Sequence, residues 1–186
     1  FAILHADATV SLFSDPAKFD DLGPDPAIRV QHWDAFDDAL AKLDGPVRVD
    51  KGSAPLAVSL ILEEAGVDIA WGEAPCILPK ACKNDAEIAG TRDAHLTDGA
   101  AMVEFLAWLD EEAPKGGLTE IDCARRLEAF RADTGVLKDI SFDTISAAGP
   151  HAALPHYRVS EASNATIAAG QVYLVDSGAQ YEDGTT

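Results

Sequence analysis

Two residues combine reactive side chains with a suggestive setting. Asp176 ends the run Gln171-Val172-Tyr173-Leu174-Val175-Asp176 ahead of Ser177-Gly178, and His156 lies in Pro155-His156-Tyr157. Val172 to Val175 is β-branched and aromatic, which predicts a strand with Gly170 before it and Ser177-Gly178 as a break or bulge after it. Alternation along that strand sets Asp176 in phase with Val172 and Leu174. A carboxylate that continues an apolar face has to be solvated, hydrogen-bonded or bound to a cation, because burying it bare costs far too much. Asp183-Gly184 is a hairpin-type turn signal that returns the chain beside this strand, in a register the sequence leaves open. Taken singly, both residues also have ordinary readings. An aspartate before Ser-Gly is a common strand-end or turn residue, and a histidine in a Pro-His-Tyr loop is commonly structural.

The elements that must position these residues follow from periodicity. Thr9 to Phe13 reads as a strand and Asp15-Pro16 as a turn. Trp33, Phe36, Leu40 and Leu43 recur at helical spacing, and Gly45-Pro46 ends that helix. Val47 to Val49 and Val67 to Trp71 read as strands flanking a helix that opens at Pro55, carries Leu56, Leu60 and Ile61, and is capped by Gly66. Strands alternating with helices predict a small α/β unit with some parallel pairing. Trp33 and Trp71 are expected in its core, with a pocket lining as the alternative.

Pro75 to Lys83, with two prolines and two lysines, reads as a domain junction. Asn84 and Glu87 then stand as N-cap and third residue of a long helix. Its expected apolar face is Ile88, His95, Gly99, Met102, Leu106 and Leu109, and Pro114 with Gly116-Gly117 closes it. His95 is expected as a packed, hydrogen-bonded histidine and Met102 as core filler. A second helix starts near Thr119, faces Ile121, Ala124 and Leu127 inward, and ends near Gly135; Cys123 within it is expected to be inert. Ile140 to Ile145 then reads as a strand.

Composition excludes more than it assigns. The chain has 186 residues, 47% of them hydrophobic, which is enough to bury a real core. Fourteen basic residues against 32 acidic ones give a net charge of −18. That field repels phosphate backbones and anionic bilayers, which argues against nucleic-acid partners and a polybasic membrane anchor. No apolar run reaches the roughly 18 residues that a membrane helix needs. The three cysteines, Cys76, Cys82 and Cys123, lack zinc-ligand spacing and read as free thiols of a reducing compartment, with a Cys76–Cys82 disulfide as the alternative. There is no internal repeat or low-complexity segment. The chain starts at Phe1 inside an apolar stretch, without an initiator Met or a signal-peptide pattern, so it is expected to be a fragment.

Tyr173-Leu174-Val175-Asp176-Ser177-Gly178-Ala179-Gln180-Tyr181 with Asp183-Gly184-Thr185-Thr186 resembles the first metal-ligand segment of Xaa-Pro aminopeptidases of the aminopeptidase P type. Phe142-Asp143-Thr144-Ile145-Ser146, Gly149-Pro150 and Leu154-Pro155-His156-Tyr157 resemble the segment before it. Lys83-Asn84, Glu87-Ile88, Gly90, Arg92, Ala94-His95 and Phe105-Leu106-Ala107-Trp108-Leu109 match in order and with family-like spacing. The likeness covers nearly the whole chain and is dense from about Pro75 onward.

The resemblance implies an α/β chain in two parts. Residues 1–78 would be part of a creatinase-like N-terminal domain, the second such domain of a three-domain aminopeptidase P. Residues 79–186 would be the first half of a pita-bread catalytic domain. The family holds two divalent metals, manganese by its oxygen-and-imidazole donor set, with two aspartates, one histidine and two glutamates. Asp176 corresponds to the first aspartate, and the second would be the residue after Thr186. His156 corresponds to the histidine that stands beside the metals and hydrogen-bonds substrate or moves a proton. His151 departs from the pattern, which often has Asn there; neutral variation is the expectation, a stray metal contact the alternative. Asp139, Asp143 and Asp183 are selected by no motif.

The implied whole protein is a cytoplasmic, homodimeric aminopeptidase acting on proline-containing peptides, and this chain alone would be inactive. Prolidase and creatinase-like hydrolases share the architecture and remain alternatives. So does a pita-bread protein-binding module that has lost its metals.

Overall fold

A computed structural model describes every residue except Leu22 and Pro24. The chain divides into two compact units, Phe1–Cys82 and Lys83–Thr186. In the first, β1 (Ala2–Leu4), β2 (Val10–Phe13) and β3 (Ile28–Gln31) form a sheet, with β1 antiparallel and β3 parallel to β2. Then come α1 (Phe36–Ala41), β4 (Val47–Val49), α2 (Leu56–Glu64) and β5 (Ile69–Trp71). β4 and β5 pair in parallel across the α2 crossover, as the alternation predicts. Leu40, Val49 and Leu62 are buried at the centre, with Phe36, Val58, Ile61 and Ile69 packed around them. The short α3 (Ile77–Ala81) occupies the proline- and lysine-containing stretch.

Neither tryptophan of this unit is in the core. Trp33 is 59% and Trp71 49% exposed. The alternative holds for Trp71, which lines a cleft of about 340 Å³ with Val49, Lys51, Pro55, Leu56 and Ser59. The Lys51 ammonium lies over its indole at 6.0 Å. An amphipathic ring satisfied by a cation and solvent has no need of an apolar interior.

The second unit is built on α4 (Asp85–Glu112) and α5 (Glu120–Asp133). Both begin with reciprocal capping boxes, Asn84 with Glu87 and Thr119 with Asp122. Between the helices, Pro114 sits in a short 3-10 turn, and Gly116 and Gly117 both take positive φ. The strands are β6 (Asp139–Ile140), β7 (Ile145–Ala148), β8 (Tyr173–Asp176) and β9 (Ala179–Gln180). β7 pairs with β8 and β6 with β9, both antiparallel. The single strand expected over Ile140 to Ile145 is therefore two. Ser141 to Thr144 breaks it, and the halves join different ladders, so Ser177-Gly178 marks where the returning chain leaves β7 for β6. The chain then folds back on itself at Asp183-Gly184, with the Tyr181 N–H donating to Gly184 O at 2.8 Å and the Thr186 N–H to Ala179 O at 2.9 Å.

The buried face of α4 differs from the expected one. Gly90, Ala94, Asp98, Ala101 and Phe105 point inward, whereas Ile88, Leu96, Val103 and Leu106 are exposed. The helix carries two stripes, and the one with small residues is covered because small side chains let neighbouring backbone approach closely. At Gly90 an added Cβ would stand 2.5 Å from the Asp183 carbonyl oxygen. His95 is exposed, although its Nδ1 does bond the Thr91 carbonyl at 2.8 Å. Met102 packs against the core as expected, around Phe105, Cys123, Leu127, Ala148 and Ile167.

Candidate active site

Pleat and register decide which residues share a face of the β7–β8 pair. Ile145 lies opposite Asp176 and Ala147 opposite Leu174, so these four are on one face. Ser146, Ala148, Tyr173 and Val175 are on the other, which packs on the helices. Asp176 thus continues the face of Leu174, as alternation predicts, and at the strand end its side chain is exposed. Tyr157 packs on this same face, against Ile145, Ala147 and Leu174.

His156 immediately precedes Tyr157 in a tight turn. The Tyr157 N–H donates to the Leu154 carbonyl at 3.1 Å, with Pro155 and His156 as the central residues. Proline suits the first of those positions because its ring holds φ near the value the turn needs. The turn leaves His156 exposed while Tyr157 is buried. One strand end thus presents an exposed carboxylate, and one turn, anchored on the β7–β8 face through Tyr157, presents an exposed imidazole.

Two buried polar networks hold these elements. Asp98 on α4 and Arg131 on α5 form a two-pronged ion pair, Nε to Oδ1 at 2.7 Å and Nη2 to Oδ2 at 3.0 Å. The Tyr181 hydroxyl donates to Asp98 Oδ1 at 2.8 Å, and Arg131 Nη1 reaches the Gly178 carbonyl, two residues beyond Asp176. Burial pushes the Asp98 pKa up, but hydrogen bonds from Arg131 and Tyr181 and the Arg131 charge outweigh it, leaving a net depression. Burial and the Asp98 carboxylate push Tyr181 up to about 12. These groups anchor the turn after the aspartate to both helices.

The second network centres on Glu120, fully buried in the first turn of α5. Its Oε1 accepts from the Ala148 N–H at 2.7 Å and lies 2.8 Å from His151 Nδ1; Oε2 accepts from the Tyr157 hydroxyl at 2.9 Å and the Ala165 N–H at 3.0 Å. Burial again raises the Glu120 pKa, and these hydrogen bonds more than reverse that, giving a net depression. An ionised carboxylate can only accept, so His151 carries its proton on Nδ1. The His151 ring also stacks on Tyr157, with centroids 4.4 Å apart. His151 is thus engaged with Glu120 and Tyr157. Asp143 is paired with Arg158 at 2.8 Å.

The family model for metallopeptidase family M24 matches residues 89–186, just over half of the chain. The chain belongs to metallopeptidase family M24. A Xaa-Pro aminopeptidase of Caenorhabditis elegans is 52% identical over 109 residues, covering 58% of this chain and 18% of that protein. A probable Xaa-Pro aminopeptidase P of Aspergillus clavatus is 44% identical over 139 residues, covering 74% and 21%. The chain spans about a fifth of the length of these curated relatives. Among solved structures, an X-prolyl aminopeptidase from C. elegans, described as cytosolic with a di-nuclear active site, superposes with a TM-score of 0.81 at 33% identity, covering 96% of this chain and 31% of that one. An X-Pro aminopeptidase from Thermotoga maritima shares the fold, with a TM-score of 0.74 at 23% identity, covering 100% and 52%. The pita-bread assignment for this M24 chain stands on these likenesses.

The residues present suit part of an M24 metal centre. Asp176 offers exposed carboxylate oxygens, donors that hard and borderline divalent ions accept. Among the described residues no cluster of three or more His, Cys, Asp or Glu side chains converges on one point. No described helix is long and apolar enough to cross a membrane. Sequence reasoning missed Asp98, Glu120, Arg131 and Tyr181. The start of α5 near Thr119 is the one local signal toward Glu120, since it puts that residue in the first turn.

Proposed function

We propose that the protein containing this chain is a manganese-dependent, cytoplasmic Xaa-Pro aminopeptidase that releases the residue ahead of proline from peptide amino termini and works as a homodimer. One observation carries the reading: Asp176 at the end of β8 and His156 beside Tyr157, whose ring packs on the Leu174 face, are both exposed, in a chain 52% identical over 109 residues to a Xaa-Pro aminopeptidase. Residues 1–78 act as part of a creatinase-like domain and residues 79–186 as the first half of the catalytic domain.

Asp176 holds one of two divalent ions through its carboxylate. Those ions, when bound, supply Lewis acidity toward water and the scissile carbonyl. His156 stands on its turn where an imidazole can accept a hydrogen bond from substrate or hand a proton to the leaving amine. The Pro155 ring and the buried Tyr157 restrict the turn, so the imidazole meets substrate with little reorganisation. Because Asp176 is one donor where a two-metal centre needs several, the 186-residue chain by itself binds manganese weakly and lacks activity.

The test is release of the amino-terminal residue from an Arg-Pro-Pro tripeptide with manganese added. The whole protein is expected to release it, and its Asp176→Asn and His156→Ala variants to lose the activity by on the order of 100-fold or more. Turnover of Xaa-Pro dipeptides with no release from the tripeptide would replace this reading with a prolidase. Silence on both would leave a binding module.

A further inference from the structure

We propose that Glu120 is a positioning residue for His156, acting through Tyr157 and the chain segment that carries the histidine. The proposal rests on the reading of His156 given above and adds the group that sets where its imidazole stands.

The geometry is specific to this segment. The Ala148 N–H lies at the end of β7, where the segment begins. His151 belongs to the 3-10 turn Gly149–Ala153 that follows at once, and Tyr157 directly follows His156. The Ala165 N–H fixes the chain beyond it. One carboxylate therefore holds four points along residues 148–165, two on each oxygen. The backbone of Glu120 holds the same neighbourhood: its N–H donates to Ala165 O at 3.0 Å, and its carbonyl accepts from Ser146 Oγ at 2.7 Å. Ser163 adds a lock, its Oγ lying 3.1 Å from the Tyr157 hydroxyl.

The carboxylate is required as such. Four donors converge on two oxygens, and a neutral amide in the same shape would set its own N–H₂ against a backbone N–H, that of Ala148 or Ala165, which cannot turn acceptor. A buried donor left without an acceptor is costly, so the segment would shift to find water. Glu120 also lies in the first turn of α5, where the helix dipole favours a negative charge, which keeps its acceptor state. His156 itself makes no direct contact with Glu120. Displacement of the Tyr157 ring would move the Leu154–Tyr157 turn, and misplacing a catalytic group by about 1 Å can cost ~100-fold in rate.

The experiment is a double-mutant cycle in the metal-loaded whole enzyme, with Glu120→Gln, His156→Ala and both together, read as kcat and KM on the tripeptide. Hydrogen exchange of residues 149–158 is measured alongside. Glu120→Gln is expected to lower kcat ~10-fold or more with KM within about 3-fold, to speed exchange in that segment, and to have no added effect once His156 is alanine. Tyr157→Phe, which removes one donor and keeps the ring packing, should repeat this at smaller size and serves as the test if Glu120→Gln does not fold. Losses that multiply in the double variant, or an unchanged kcat in the single one, would overturn the positioning role while leaving His156 in place. If His156→Ala alone leaves kcat intact, the reading of His156 falls first and the positioning proposal with it.

Discussion

Asp98 and Arg131, 33 residues apart in sequence, meet as a buried ion pair with both guanidinium prongs on one carboxylate, at 2.7 and 3.0 Å. Arg131 is fully buried, so its charge has no access to water and depends on that carboxylate. Breaking such a pair from one side costs more than the pair contributes, because the remaining charge is stranded. Arg131→Met is therefore expected to destabilise the second unit by about 3–5 kcal/mol, measured as a shift in urea midpoint. The double variant Asp98→Leu/Arg131→Met should recover part of the loss, because no charge is then left behind.

Acid should loosen this unit through the same carboxylates. Glu120 and Asp98 both have folded pKa values below their ordinary 4.5 and 3.8. The unfolded chain therefore binds more protons between the folded and unfolded values, and stability falls as pH falls. Their contribution is complete above the ordinary values and is lost as pH drops through the depressed ones. Thermal midpoints between pH 7 and pH 3 should decline steeply in the acid range, and Glu120→Gln should flatten that decline. A steeper dependence in the variant would contradict the sign.

Two glycines of α4 should respond in opposite directions to alanine. Gly99 has open space around its Cβ position, so Gly99→Ala is expected to stabilise by up to about 1 kcal/mol through helix propensity. At Gly90 the new methyl would meet the Asp183 carbonyl oxygen at 2.5 Å and Asp183 Cβ at 2.9 Å. Backbone cannot swing aside as a flexible side chain can, so Gly90→Ala should lose about 1–3 kcal/mol net. Melting curves of the two variants side by side check the pair.

Thiol labelling should distinguish the cysteines. Cys76 and Cys82 are exposed free thiols, while Cys123 is buried and its pKa is pushed up to about 11, chiefly by burial. The thiolate is the nucleophile, so two equivalents of a disulfide reagent should react quickly with the folded chain. The third should react only on denaturation. Rapid loss of all three would mean that the α5 face opens readily.

Features made by neighbours in sequence were legible without coordinates. The Asn84–Glu87 box involves residues three apart, and its two hydrogen bonds, at 2.8 and 2.9 Å, are as the pattern implies. The strand before Asp176 and the turn signal at Asp183-Gly184 are similarly local. The networks behind them were not legible. Glu120 and Tyr157 are 37 positions apart, and Tyr181 and Asp98 are 83 apart. No short pattern encodes those pairings, since each side chain by itself reads as an ordinary surface carboxylate or core aromatic.

By itself, the amino-acid sequence determined where both long helices begin, that a β-branched run delivers Asp176 to a strand end, and which family these segments resemble. All of these depend on backbone preferences and spacing within a few residues. Tertiary structure decided which stripe of α4 is covered, that the strand expected over Ile140 to Ile145 divides between two ladders, and that His151 binds Glu120. The helix carries two candidate stripes, one of larger apolar residues and one of small residues with Asp98 and Phe105. Only the approach of Asp183 to Gly90 and the packing of Phe105 against Cys123, Leu127 and Ala148 select between them, because burial is a property of what arrives at a face as well as of the face itself.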